Sequence, residues 1–278
     1  MVRPGATTAA IGWLLIVTGV LAGCAASQDT GQQTPTVLGY EVVAELPADP
    51  NSFTQGLEFD GQGRLFETSG GYGRSTLRQI DPADGTTVAT LRLDDSWFAE
   101  GLTVADTSSG EAIVMLTWRE GVVVHIDPDT LTERRRLALE GEGWGVCELS
   151  PGTLVVSDGS STLTFRNTDT LAVESTVQVT RTGEPVARLN ELECVDGEVW
   201  ANVWMTDNIV VIDPADGVVV AELDASGLLD RSAWPGADVL NGIAAVPGKP
   251  GEFLLAGKLW PSTWHVRVGP QAERAPPP

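Results

Sequence analysis

One short motif, a polar or aromatic residue followed by Gly and an aliphatic residue, returns along the chain at nearly fixed intervals. That recurrence limits the fold more than any other feature. It reads Gln55-Gly56-Leu57, Glu100-Gly101-Leu102, Trp144-Gly145-Val146 and Asn241-Gly242-Ile243, with a degenerate copy, Asn190-Glu191-Leu192, where the period places one. The leading residues lie 45, 44, 46 and 51 positions apart. Strand-like stretches follow, such as Glu111 to Leu116 and Thr153 to Val156. Third stretches run into Asp-Pro turns at Asp81-Pro82, Asp127-Pro128 and Asp213-Pro214, completed by Asp84-Gly85 or Asp216-Gly217, and a fourth stretch returns, as in Thr87 to Leu93. No long segment carries the 3.6-residue apolar period of an amphipathic helix.

Four short strands per period of about 45 residues is the pattern of propeller blades. The motif copies predict an all-β, five-bladed β-propeller over residues 37–270. The last unit runs out near Val268, before an outer strand. The segment Thr36 to Leu46 is strand-like and is predicted to supply that strand, closing the ring and removing exposed sheet edges. A linear β-sandwich leaves the matched copies unexplained.

In a propeller the innermost strands converge on a central channel, so the leading motif residues Gln55, Glu100, Trp144, Asn190 and Asn241 form one ring. The next strand of each repeat contributes a second, Tyr72, Trp118, Asp158, Trp204 and Lys258. Lys258 is one of only two lysines, so its place in a ring stands out. Together the rings describe a small polar cluster on an aromatic wall, suited to a small or terminal polar group. Composition narrows the alternatives. With 17 Lys+Arg against 38 Asp+Glu the formal charge is −21, which argues against nucleic acid as a partner. Two His and three Cys give little material for a metal site, and the Asp-Pro motifs lack the spacing of a calcium loop. His125 and His265 fall at peripheral positions. Glu142, Glu148, Glu191 and Glu193 read as solvated or structural, with one or two available to neutralise Lys258.

Six segments read jointly resemble a known family: Phe53-Thr54-Gln55-Gly56-Leu57, Glu67 to Gly73, Phe98-Ala99-Glu100-Gly101-Leu102, Leu116-Thr117-Trp118, Leu189-Asn190-Glu191-Leu192-Glu193 and Gly257-Lys258-Leu259-Trp260-Pro261. In this order they are similar to the plant and bacterial type of glutaminyl-peptide cyclotransferase, over roughly Val37 to Val268. The resemblance implies a five-bladed propeller enzyme that converts N-terminal glutamine of peptides to pyroglutamate with loss of ammonia, without cofactor or catalytic metal. It implies a site at Phe53, Gln55, Phe98, Glu100, Trp118, Trp144, Asn190, Trp204 and Lys258. Glu100 is then the general acid and base, and Lys258, Gln55 or Asn190 the oxyanion donor, a choice the sequence leaves open. The remaining site members, Phe53, Phe98 and the three indoles, bind substrate. A non-enzymatic propeller lipoprotein that binds peptides or partner proteins is the alternative. A metal-dependent lactonase or quinone-dependent dehydrogenase on the same fold finds no ligand cluster here.

The N-terminus reads as an address. Arg3 precedes an apolar run from Ala9 to Val20, and Leu21-Ala22-Gly23-Cys24 follows. This ending resembles the lipobox of bacterial lipoproteins, which predicts a signal peptide over 1–23, a lipid-modified Cys24 and a flexible tether over 24–36. An ordinary signal peptide with an incidental cysteine is the other reading. The expected product is extracytoplasmic, monomeric, anchored to the cell envelope or secreted, with a disordered tail over 271–278. No other segment approaches the roughly 20 apolar residues of a membrane-spanning helix. With Cys24 lipidated, Cys147 and Cys194 are the remaining pair in an oxidising compartment. They follow their motif residues by three and four positions, and this offset leaves open whether they face each other.

Overall fold

Each repeat becomes one four-stranded antiparallel sheet. The computed structural model describes residues 34–271 together with residues 1, 2 and 5. Cys24 and nearly all of the predicted leader, tether and tail lie outside the described residues. Blade 1 comprises Thr54–Phe59, Leu65–Ser69, Thr76–Ile80 and Thr87–Arg92, and blade 2 Ala99–Thr107, Gly110–Thr117, Val122–Ile126 and Glu133–Ala138. Blade 3 comprises Val146–Ser150, Thr153–Val156, Thr162–Asn167 and Val173–Gln178. Blade 4 comprises Leu189–Val195, Glu198–Val203, Asn208–Ile212 and Val219–Asp224. Blade 5 takes Leu240–Ala245, Glu252–Gly257 and Ser262–Pro270 from the end of the chain, and Thr36–Pro47 as its outer strand.

Burial follows strand position. The second strand Leu65–Ser69 is buried throughout, because neighbouring blades cover both its faces, whereas the outer strand Glu133–Ala138 carries Glu133 and three arginines exposed to solvent. Much of the charge therefore sits on outer strands and turns. Among the described residues the apolar interior divides into five clusters, one at each junction between neighbouring blades. That between blades 1 and 2 centres on Phe66, Leu102 and Met115, and that between blades 5 and 1 on Leu57, Leu65 and Leu254. A cluster at the 5–1 junction means that the ring is closed by packing as well as by pairing.

The closing strand does more than the repeat predicts. It pairs antiparallel with Ser262–Pro270 and, through Thr36 to Leu38, parallel with Ala221 to Leu223 of blade 4. Blades 4 and 5 therefore share one eight-stranded sheet. Thr36 already pairs, so the strand starts one residue before the predicted tether boundary. A disulfide joins Cys147 to Cys194, with Cα atoms 5.4 Å apart. Their offset does not separate them, because both side chains enter the apolar layer between blades 3 and 4.

The motif residues occupy a repeated irregularity. In blades 1, 2, 4 and 5 the pairing of the innermost strand with its neighbour shifts register at Gln55, Glu100-Gly101, Asn190-Glu191 and Asn241-Gly242. Such a bulge adds one residue to the inner strand and re-aims its side chain. The Gly after the motif residue is required by space. A Cβ on Gly145 would lie 2.0 Å from the Asn190 carbonyl oxygen of the next inner strand. Blade 4 breaks the rule with Glu191, whose buried carboxylate accepts the N–H groups of Leu57 (3.3 Å) and Ile243 (2.9 Å) and so ties the inner strands of blades 1 and 5 to blade 4.

Candidate active site

The bulges bring Gln55, Glu100 and Asn190, and the approach to the blade 3 inner strand brings Trp144, to one cavity of about 320 Å³, a size suited to a small ligand. Phe53, Phe98, Trp118, Trp204 and Lys258 complete its wall, so all nine residues singled out in the sequence meet there. The wall also contains Met205 and Asp238, which sequence reading missed. Asp238 lies in the segment between blades 4 and 5, where the motif interval lengthens to 51; that excess over the other intervals was its only signal.

Three ring positions behave differently from the expectation. Asn241 is fully buried beside the pocket and is absent from its wall. Its amide donates to Thr54 O (3.1 Å), Gln55 O (3.4 Å) and Gln55 Oε1 (3.2 Å). Tyr72 is exposed, its hydroxyl donating to Glu120 at 2.8 Å, and Asp158 is exposed outside the wall. The second ring as a whole lies in the turns just past the second strands rather than on those strands, since Trp118 follows a strand ending at Thr117 and Lys258 one ending at Gly257.

At the centre Gln55 Nε2 donates to Glu100 Oε1 at 2.9 Å. Because Asn241 occupies Gln55 Oε1 with a donor, the carboxamide is fixed with its NH₂ toward Glu100. The approach to Gln55 is held from behind by buried Glu67. Glu67 accepts Ser52 Oγ at 2.7 Å and Thr54 Oγ1 at 2.6 Å while paired with Arg78. Phe53 is fixed by its N–H to Ser69 Oγ at 2.9 Å. Asn190 Oδ1 is buried on the pocket wall with no hydrogen-bond partner among the described residues.

Electrostatics follow from burial. Desolvation raises the Glu100 carboxyl well above its ordinary range; Lys258 opposes the shift, and the charges of Glu120 and Glu142 add to it. Desolvation lowers the Lys258 ammonium, opposed by Glu100 and Asp238. Lys258 Nζ stands 4.9 Å from the centre of the Phe53 ring. The acids acting on it are thus Glu100 and Asp238. Glu191 and Glu193, read as solvated or structural, are buried deeper along the inner strand. Glu142 serves a different purpose.

The aromatic wall is interlocked. Phe98 meets Phe53, Tyr72 and Trp118 edge-on at 6.1, 5.5 and 5.5 Å, and Trp144 meets Trp204 at 5.5 Å and 90°. Gly70 leaves the space that Phe98 fills, since a Cβ there would lie 2.3 Å from its ring. A single carboxylate oxygen, Glu142 Oε2, accepts both Trp118 Nε1 (2.9 Å) and Trp144 Nε1 (3.0 Å), while Arg119 pairs with Oε1 at 2.9 Å and stacks 3.8 Å over Trp118. Glu142→Ala is therefore expected to raise KM about tenfold with a smaller change in kcat, by freeing two wall indoles. Glu142→Gln, which keeps an oxygen acceptor, restores most of the loss. Steady-state kinetics with tryptophan fluorescence check this, and equal KM values in all three proteins would contradict it.

Among the described residues no three His, Cys, Asp or Glu side chains gather to hold a metal ion. The arrangement joins one buried carboxyl positioned by an amide donor, one buried amine and an apolar wall, which suits proton transfer on a small polar group. A family profile described as Glutamine cyclotransferase matches residues 15–268. The chain is 38% identical over 232 residues to the glutaminyl-peptide cyclotransferase of Arabidopsis thaliana, covering 82% of this chain and 71% of that protein. The crystal structure of Myxococcus xanthus glutaminyl cyclase superposes with a TM-score of 0.75 at 40% identity, covering 84% of this chain and 98% of that one.

Proposed function

The chain belongs to the glutamine cyclotransferase family and is an enzyme of the glutaminyl-peptide cyclotransferase class, and we propose that its pocket cyclises N-terminal Gln of peptides to pyroglutamate without a metal, using Glu100 as both general base and general acid. The observation that carries this reading is the buried Glu100 carboxyl, oriented by Gln55 and enclosed with Lys258 in an aromatic wall.

The neutral α-amine attacks the side-chain amide carbon, and its proton passes to Glu100. The carbon–nitrogen bond of the ring forms while the amide oxygen takes up negative charge. Glu100 then returns the proton to the amide nitrogen, which leaves as ammonia as its bond to carbon breaks and the carbonyl re-forms. A carboxyl raised by burial suits both transfers, because its affinity for the proton approaches that of the groups it serves. Lys258 is the oxyanion donor of this scheme, since the Gln55 NH₂ is already directed at Glu100. Asn190 offers its unpartnered Oδ1, an acceptor, to a donor group of the substrate. Trp118, Trp144 and Phe98 hold the glutamine side chain folded onto its own amine, the proximity on which ring closure depends.

The test is ammonia release from a Gln-initiated dipeptide by the purified protein, with and without chelator. Equal release in both arms is expected. No release in either would favour a peptide-binding propeller, and loss with chelator alone would overturn the metal-free scheme. The lipobox-like Leu21-Ala22-Gly23-Cys24 supports an enzyme tethered outside the cytoplasm through Cys24. Incorporation of a labelled fatty acid into the whole chain, lost in Cys24→Ser, tests that placement.

A further inference from the structure

The turn after the second strand of blade 4 is built in a way that its own fold does not require. Thr206 N–H donates to Val203 O at 3.1 Å, closing a four-residue turn with Trp204 and Met205 at its centre and Met205 at φ 67°. Positive φ at that third position is the type II turn, where Gly is the residue of least cost. Other blades repeat the geometry. Arg74 N–H to Gly71 O (3.0 Å) closes a turn with Gly73 at φ 71°, and the residue after Asp158 is Gly159 at φ 80°. Blade 5 places Leu259 there at φ 59°, in a turn closed by Trp260 N–H to Gly257 O (3.2 Å). Leu259 is half-buried, so packing offsets its strain. Met205 is 59% exposed and yet lies on the wall of the pocket. A strained side chain left mostly exposed at the mouth of a site points to a contact made outside the chain.

Trp204 shares this position. It is 37% exposed, and with Met205 it forms the part of the apolar pocket wall that faces solvent, the other wall aromatics being half-buried. In the reaction proposed above, on which this inference rests, the amine and amide of the terminal Gln lie against Glu100. The rest of the peptide then leaves through the mouth, and the side chain of its second residue is the first group to meet the lip. We propose that Trp204 and Met205 form a subsite for the side chain of the residue following the N-terminal Gln, and that this subsite selects apolar side chains. The unbranched thioether of Met adapts to apolar groups of different shape, and the indole supplies a flat apolar face. Asp238, the exposed carboxylate on the same wall, disfavours an acidic second residue.

The test compares kcat/KM for Gln-Leu-amide and Gln-Gly-amide in the purified wild-type protein and in Met205→Gly. Gly adopts the observed φ without strain, so the variant is expected to melt no lower than wild type. Wild type is expected to prefer the Leu peptide about tenfold, in line with the contribution of a few apolar groups, and the variant to bring that ratio close to one. A wild-type ratio near one, or an unchanged ratio in Met205→Gly, would overturn the subsite while leaving the cyclotransferase reading intact. Release of no ammonia from either peptide by wild type would take the cyclotransferase reading down, and the subsite with it.

Discussion

Glu100→Gln is expected to lower kcat/KM for Gln-initiated peptides about a thousandfold or more, within the range that a positioned acid–base group contributes. The substitution removes one property only. Gln has nearly the shape of Glu, its oxygen still accepts the Gln55 amide that Glu100 accepts at 2.9 Å, and the Glu100 backbone keeps the Thr68 hydroxyl at 2.6 Å. What is lost is a site that takes a proton from the amine and returns it to the departing nitrogen, so both halves of the reaction suffer. Stability is not expected to fall, because replacing a buried ionisable carboxyl with a neutral isostere removes a desolvation cost. The thermal midpoint should therefore match or exceed that of wild type. In the parent enzyme, the acid limb of kcat, which reports groups in the substrate complex, should lie well above the ordinary carboxyl value of 4.5. A folded Glu100→Gln protein retaining more than about a tenth of wild-type turnover would remove Glu100 from its assigned role.

Period and residue type made the site legible to an unusual depth. Gln55, Glu100, Trp144 and Asn190 could be placed on one ring because a propeller converts equal spacing along the chain into equal position around an axis. Asn241 shows the limit of that logic. It holds an equivalent register position, but its amide is turned onto Gln55, so it orients the site without lining it. Met205 and Asp238 were invisible for a different reason. One is set by the φ of a turn, and the other sits in an insertion that the repeat does not govern. Glu142 was readable as a charge but not as a clamp, since nothing in sequence places one oxygen between two indoles. Glu191 and Glu193 read as solvated or structural in a highly acidic chain, and the channel, which buries both, selects the structural alternative.

That burial leads to a prediction on stability. Three residues beyond Gln55 and Asn190 on their inner strands stand Glu58 and Glu193, with Glu191 beside them. Desolvation raises all three carboxyls, with mutual repulsion adding to the shift at Glu58 and Glu191, and that of Glu193 is pushed up to about 8. Among the described residues no cation acts on any of the three. Their hydrogen-bond donors are Thr103 for Glu58, the Leu57 and Ile243 N–H groups for Glu191 and the Ala245 N–H for Glu193, and Glu148 is a further acid nearby. Between the ordinary value of 4.5 and about 8, the folded protein holds a proton on Glu193 that the unfolded chain has released. Folding stability therefore falls as pH rises through that window, at a slope of up to about 1.4 kcal/mol per pH unit for each such proton. Carboxylates shifted the other way, such as Asp127 at about 2, act only at lower pH. His125, lowered by burial, opposes the trend below its ordinary 6.5. Comparison with Glu193→Gln isolates the buried group from these. The variant keeps an acceptor for Ala245, loses the titration, and is expected to show a shallower fall in thermal midpoint from pH 5 to pH 8.5 and a higher midpoint at the alkaline end. A wild-type midpoint that rises across that interval, or an equal slope in Glu193→Gln, would mean that the channel holds these carboxyls ionised and that the folded structure compensates their charge by means other than protonation.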